Sequence, residues 1–359
     1  MVGVNSSIDI IGNSFTGFWV VPEIPVSCLG RTVSPTSARL WDGQPDSGTS
    51  VSGVATSVSG SVNFLLEAIA IKNCIDLQKM NEDLNADYFL LNDIDCSDTV
   101  NWNSGKGFDP ISFQYTPFTG TFYGNGFIIS NLYINRIHIT KGIYIGLFGY
   151  IKDAKIYNTS LIDINITCFK HCGGLVGHMA GSSEISNSYS TGTIIGNNGA
   201  IGGLVGSIHD FGKVFSSYST VTVIDNGDYI SDGGLIGLLH DHSEVFNSYS
   251  TGFVTGDECV GGLIGSKYTS GKVFNSYSTG FVTGNTDVGG LVGCKHGFGL
   301  INQSYWNTET SGQLISDGGE GRTIAEMTYL FATNTYVGWD SDVWELTPGS
   351  DNYPHLQWE

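Results

Sequence analysis

From residue 146 onward, short apolar runs alternate with glycine and small polar residues on a fixed period. Gly146-Leu147-Phe148-Gly149 returns as Gly174-Leu175-Val176-Gly177, Gly203-Leu204-Val205-Gly206, Gly234-Leu235-Ile236-Gly237, Gly262-Leu263-Ile264-Gly265 and Gly290-Leu291-Val292-Gly293. The first glycines stand 28, 29, 31, 28 and 28 residues apart. A second phrase, Asn187-Ser188-Tyr189-Ser190-Thr191, keeps step at 216–220, 247–251 and 275–279, and Gly252-Phe253-Val254-Thr255-Gly256 recurs at 280–284. Each period holds three short β-type runs separated by Gly, Asp, Asn and Ser, with no helical periodicity between them. This pattern predicts an all-β fold, a right-handed parallel β-helix of about three strands per 28-residue coil. A propeller blade needs four strands and about 40 residues, and a leucine-rich repeat would show a helical half.

Stacking can be tested in the sequence itself. Equivalent residues of successive coils sit about 4.8 Å apart in a parallel solenoid, so like charges there repel and opposite charges attract. The position opening the second strand reads Lys155, Glu184, Lys213, Glu244, Lys272, alternating in sign at every step before ending at Leu300. Ile156, Ile185, Val214, Val245, Val273 and Ile301 make an aliphatic column expected in the core. Asn158, Asn187, Ser216, Asn247, Asn275 and Gln303 make a polar column whose amides are expected to bond coil to coil.

Outside the repeat the pattern changes. Residues 1–71 are rich in Ser, Thr, Val and Gly and read as a β or extended attachment region. Residues 72–308 read as the β-helix with an N-terminal cap, in which Leu77, Met80 and Leu84 share one helical face within 72–85. Residues 309–359 read as a C-terminal cap, with a short helix near 323–331 and an aromatic tail. Because the terminal coils of a solenoid expose an open core, Trp339, Trp344 and Trp358 are expected to pack there.

Composition narrows the function classes. Charged residues make up only 14% of the 359, Gly numbers 50, and the net charge is −19. A chain this acidic repels phosphate backbones and anionic headgroups, which argues against nucleic-acid binding and membrane-surface binding. No run approaches the ~18 apolar residues of a membrane span. The first 30 residues lack a basic segment followed by an apolar one, so no signal peptide is visible. An extracellular, cell-surface or virion location is expected. Seven cysteines is an odd number, so at least one is free or pairs between chains.

The Gly-Leu-hydrophobic-Gly repeats resemble the GLUG-motif repeats of large surface and secreted proteins of bacteria and archaea. The approach to the repeats fits as well: Ile75-Asp76-Leu77-Gln78-Lys79-Met80, Asp87 to Cys96, Phe118-Thr119-Gly120-Thr121-Phe122 and Ile129-Ser130-Asn131-Leu132. So does the close, with Ser304-Tyr305-Trp306-Asn307, Trp339-Asp340, Trp344 and the segment 353–358. The resemblance covers residues 72–359 and implies a right-handed parallel β-helix in a surface-exposed protein. It implies no single activity, since such repeats occur in adhesin-like chains and in chains described as peptidases.

Candidate chemistry is sparse. The turn after each Gly-Leu-x-Gly strand places Ala180, His209, His240, Tyr268 and His296 in one column, so that His209-Asp210 and His240-Asp241-His242 stand on adjacent coils. Two imidazoles with carboxylates at that spacing suit a transition metal; the competing reading is a solvent-facing ladder of flat side chains. Asp93 and Asp95 flank Ile94 on one strand face, an arrangement suited to Ca²⁺ or to a carboxylate dyad, although the resemblance makes this segment a structural feature of the first coil. Cys74 and Cys96 bracket the same cap-and-coil unit and are the candidate disulfide. The Ser-Tyr-Ser-Thr phrase lacks a nucleophile elbow, and its recurrence in every coil speaks for a ladder. No Arg occurs between Arg136 and Arg322, which lowers the case for a lyase base.

The expectation is a non-enzymatic, cofactor-free surface protein that self-assembles into homo-oligomers or filaments, or binds a surface protein or glycan. The alternative is a polysaccharide-acting β-helix enzyme, free or as a virion spike.

Overall fold

A computed structural model describes residues 38–40, 51–53, 68–112, 116–137, 143–227, 230–346 and 353–359. Most of the expected attachment region, including Cys28, lies outside these residues. Two compact units divide between Glu67 and Ala68. In the first, Ala38–Leu40 pairs antiparallel with Val51–Gly53. The second opens with the strand Ile69–Ile71, slightly ahead of the boundary at residue 72 that the sequence suggests. No helix among the described residues is long and apolar enough to cross a membrane.

The second unit is a parallel β-solenoid. One sheet stacks nine strands in parallel, from Ile69–Ile71 to Ile301–Asn302. Its register pairs Lys155 with Glu184, Glu184 with Lys213, Lys213 with Glu244 and Glu244 with Lys272. Ion pairs follow at 3.8 Å (Lys155–Glu184), 3.7 Å (Lys213–Glu244) and 2.9 Å (Lys272–Glu244). The aliphatic column beside them is core: Ile156, Ile185, Val214, Val245 and Val273 are fully buried, and Ile301 is half-buried.

The three β-type runs of each period resolve into four sheets. The run through each Gly-Leu-x-Gly phrase breaks at its glycines, giving for example Gly199–Gly202 and Val205–Ile208 on two different sheets. Glycine is required there because neighbouring coils approach too closely for a side chain. A Cβ on Gly203 would sit 2.2 Å from the Gly234 carbonyl oxygen.

The polar phrases are structural. Asn158, Asn187, Ser216, Asn247, Asn275 and Gln303 all have φ between +45° and +50°. This column exists to place a bend in the left-handed region, which Asn tolerates best among non-glycine residues. It is not the expected amide ladder, since the Oδ1 atoms of Asn247 and Asn275 are buried without a partner. The ladder is one residue on. Each hydroxyl of Ser188, Ser217, Ser248, Ser276 and Ser304 accepts the N–H of its counterpart one coil earlier, at 3.1–3.3 Å. Each then donates to the carbonyl two residues back on its own coil, at 2.7–2.9 Å. Every one of these buried hydroxyls is thereby satisfied on both sides.

At the N-terminal end the helix Cys74–Lys79 starts at Asn73, whose side chain accepts the Asp76 N–H. Leu77 and Met80 are fully buried in the solenoid core, so the helix completes the first coil between its strands at Ile69–Ile71 and Tyr88–Leu90.

The C-terminal aromatics differ from the end plug expected for them. Residues 313–319 cross the last coil, where the Ile315 carbonyl accepts the Gly290 N–H and Ser316 Oγ accepts those of Leu291 and Val292. After the capping box of Thr323 and Glu326 and the short helix Ile324–Met327, the tail turns back along the side of the solenoid. Trp339 donates to the carbonyl of Gln303, Tyr277 to that of Pro354, and Trp358 to that of Ser216, three coils earlier than Gln303. The reason is a lateral stripe of stacked Tyr189, Tyr218, Tyr249 and Tyr277, with ring centroids 4.7–4.9 Å apart. Trp339, Trp344, Tyr336 and Leu356 bury themselves against it.

Candidate functional site

A second aromatic stripe, formed partly of imidazoles, runs along another face. His178, His209, His240, Tyr268 and His296 stack in order, with successive centroids 5.1, 5.0, 5.6 and 4.5 Å apart. Tyr144 extends the stack from His178 at 4.5 Å. The parallel register produces it: Met179 pairs with Ile208, Ile208 with Leu239 and Leu239 with Lys267, so the residues that follow fall into one column. Ala180 occupies that column by register but carries no ring. His178, two residues earlier and on the same strand face, fills its place. The alternation Gly177-His178-Met179-Ala180 is the signal that could have revealed this.

Three of the five expected metal ligands come together. Nδ1 of His240 lies 2.9 Å from one oxygen of Asp241, and Nδ1 of His209 lies 3.8 Å from the other. The candidate ligand atoms of His209, His240 and Asp241 all lie within 4.8 Å of one another, and all three residues are half-buried. Asp210 turns away, its Oδ2 accepting the Gly181 N–H at 2.9 Å. His242 stacks on Phe211 instead, at 5.3 Å. Both Asp210 and Asp241 hold positive φ, at 63° and 55°, which Asp accepts more readily than most residues.

Burial sets the charge of this face. Desolvation, with Lys170 nearby, pushes His171 down to about 3, and desolvation with His209 pushes His178 down to about 4. Desolvation and then His240 also lower His209. Burial thus favours the neutral imidazole at His171, His178 and His209, the form that offers a lone pair to a metal. At Asp241, burial raises the pKa, but the His240 hydrogen bond and the Asp210 N–H outweigh it and lower the net value. His171 also lines a shallow groove of about 290 Å³ with Ser231, Glu258, Ser266 and Tyr268. Glu258 is its one carboxylate.

Asp93 and Asp95 spend their oxygens on neighbouring backbone and amide groups. Asp93 accepts the Ile128 N–H, while Asp95 accepts from the Asn131 amide and from Ser97, which hold its carboxyl below the usual range. Cys74 and Cys96 form a disulfide. Two further bridges escaped sequence reasoning: Cys168–Cys172 within one coil and Cys259–Cys294 between adjacent coils. Also missed were Asp225, Asp232 and Lys267, ionisable groups buried without partners for Asp225 Oδ2, both oxygens of Asp232 and the Lys267 amine.

A family model, the GLUG motif, matches residues 171–195, a stretch that holds His171, His178 and the first complete Ser-Tyr-Ser-Thr phrase. This match is what the resemblance to GLUG-motif repeats implied for the repeat region. Among curated proteins it is 38% identical over 135 residues to halomucin of Haloquadratum walsbyi, covering 36% of this chain and 1% of that protein. It is 33% identical over 144 residues to a Gly-rich membrane protein of Evansella cellulosilytica, covering 39% of this chain and 15% of that one. The chain thus matches only a small part of either relative's length. Among solved structures, one described as an immunoglobulin A1 protease from Bacteroides ovatus superposes with a TM-score of 0.61 at 20% identity, over 82% of this chain and 93% of that one. A second, an IgA1 protease, reaches 0.50 at 16% identity, over 66% and 19%. At such identities the likeness is one of fold.

Proposed function

We propose that the GLUG solenoid is a non-enzymatic structural or adhesin-like module of an extracellular or cell-surface protein. Its long faces would bind copies of itself or a surface partner. The observation that carries this reading is the fate of the repeated polar phrase. The hydroxyls of Ser188, Ser217, Ser248, Ser276 and Ser304 are fully buried and hydrogen-bonded from coil to coil. They serve stiffness and are closed to substrate. Stiff, repetitive faces suit lateral binding, because every coil presents the same groups at one strand spacing. A relative named as a membrane protein supports the surface location. The polysaccharide-acting alternative calls for a groove with several carboxylates and a base, whereas the groove beside His171 has Glu258 alone.

Sedimentation and electron microscopy of the full chain test this reading, together with a chain lacking residues 1–67. The expected result is concentration-dependent assembly of the full chain, and a shortened chain that keeps its β-sheet circular dichroism but no longer assembles. A full chain that stays monomeric at high concentration and depolymerises a polysaccharide would overturn it.

A further inference from the structure

We propose that His209, His240 and Asp241 bind one divalent transition-metal ion of the zinc or copper class. The donor set is two imidazole nitrogens and a carboxylate, which favours such ions over Ca²⁺ or Mg²⁺, whose ligands are oxygens. In a tetrahedral site with ligands about 2.0–2.1 Å from the ion, neighbouring ligand atoms lie about 3.3 Å apart. Here His240 Nδ1 lies 2.9 Å from one Asp241 oxygen, His209 Nδ1 lies 3.8 Å from the other, and one ligand atom from each of the three residues lies within 4.8 Å of the other two. Small side-chain rotations would reach the tetrahedral spacing.

Aromatic stacking alone does not account for the arrangement. Tyr268 continues the same ladder above His240, so stacking at this position does not require an imidazole. At His209 and His240 both rings instead turn the same nitrogen, Nδ1, toward the two oxygens of one Asp. The ligands come from two successive coils, locked by the pairing of Ile208 with Leu239 immediately before them, so the site exists only when the solenoid is stacked in register. Side-chain exposures of 31–35% leave the fourth position open to water or to a ligand from outside. Two other clusters have similar spacing, Cys259–Cys294–His296 and Glu258–Cys259–Asp287. Both rely on sulfur atoms already joined in the Cys259–Cys294 disulfide, which are not thiolate ligands.

The test is calorimetric titration of the oxidised full chain with zinc chloride, repeated with copper(II) chloride. One ion per chain is expected. His240→Asn and Asp241→Asn should each weaken binding at least about tenfold, and Asn at 241 keeps the left-handed turn and an acceptor for the Asp210 N–H. His242→Asn should bind as the unaltered chain does, which separates this site from the longer His-Asp-His phrase. Thermal melting without metal checks that each variant is folded. Absence of saturable binding, or binding that persists undiminished in folded His209→Asn/His240→Asn, would overturn the proposal.

Discussion

A Cβ placed on Gly234 would lie 2.2 Å from the Oγ of Ser250. The two residues belong to different repeated phrases, yet neighbouring coils bring their counterparts together: a Cβ on Gly203 would meet Ser219 Oγ at 2.1 Å and one on Gly262 would meet Ser278 Oγ at 2.3 Å. The glycine of the Gly-Leu-x-Gly phrase is thus the space filled by the second serine of Ser-Tyr-Ser-Thr. The two phrases recur in step because each is the other's packing partner.

Gly234→Ala should therefore destabilise the solenoid by about 1–3 kcal/mol, the usual cost of overpacking a tight interior. Adding Ser250→Gly should recover only part of it, since the same Cβ also meets the Gly262 carbonyl oxygen at 2.2 Å. Denaturant unfolding of the single and double variants measures both. Full rescue by the double variant would show that the backbone of the next coil yields easily.

Glu244 sits between Lys213 and Lys272 and touches both. Its hydrogen bond to Lys272 is the largest influence on its carboxyl and holds the pKa below the ordinary Glu value. The sign follows. A depressed folded pKa means the contribution is present above the unfolded value and is lost as pH falls through the folded one. Glu244→Lys, which stacks three like charges, should cost about 1 kcal/mol or less, because the flanking lysines reach solvent, and added salt should shrink the cost. A larger loss that salt leaves untouched would contradict this account.

Asp232 carries the opposite sign. It pairs in register with Ile201 and Val260, in a column that is otherwise apolar core, and both its oxygens lack partners. Burial, then the nearby Asp225, raises its pKa well above the ordinary value, and burial raises Asp225 to about 6. Raised folded pKa values make the stabilising contribution present below the unfolded pKa, near 4, and lost as pH climbs through 6 and beyond. Asp232→Val should therefore stabilise the protein at pH 8, by about 1–3 kcal/mol, and flatten the fall in stability between pH 4 and 8. Unfolding midpoints of both chains across that range decide it. A variant less stable than the parent at pH 8 would mean that the carboxylate has a partner there.

What the sequence made legible was whatever repeats. The sign alternation from Lys155 to Lys272 revealed register because a parallel solenoid sets identical positions one strand spacing apart. His209 and His240 were found for the same reason. Asp232 was not, because it occurs once, although Ile201, Val260 and Val288 at the same position of other coils mark the column as apolar. The αL role of Asn187 and its equivalents hid behind their polarity, since an amide suits both a ladder and a left-handed bend. The Cys168–Cys172 bridge was not legible because spacing alone does not say whether two sulfurs bond to each other. The path of the aromatic tail was hidden for a further reason. Its partners, Tyr218 to Tyr277, are repeat residues whose exposed stripe becomes visible only when the coils are stacked.

That tail supplies the last prediction. Trp344 is fully buried between the tail and the rings of Tyr249 and Tyr277, at centroid separations of 6.2 and 5.9 Å. Hydrogen bonds also hold the tail: Tyr249 donates to the Glu359 carboxylate, Tyr277 to the Pro354 carbonyl, Trp358 to the Ser216 carbonyl, Trp339 to the Gln303 carbonyl, Gln303 to the Val337 carbonyl and Asn307 to the Tyr353 hydroxyl. The solenoid core is a separate cluster, with its own buried column through Val245 and Val273. Trp344→Ala removes roughly 3–5 kcal/mol of packing, but from the tail cluster rather than the coil core. The expected outcome is local release: protease should cut after residue 323 much faster than in the parent, while the β-sheet signal and the main unfolding transition hardly move. Burial currently raises the phenols of Tyr218 and Tyr249, so ultraviolet titration should show them ionising closer to the ordinary tyrosine range once the tail detaches. If the variant instead loses its sheet signal together with the tail, the clasp and the solenoid fold as one unit and the division drawn here is wrong.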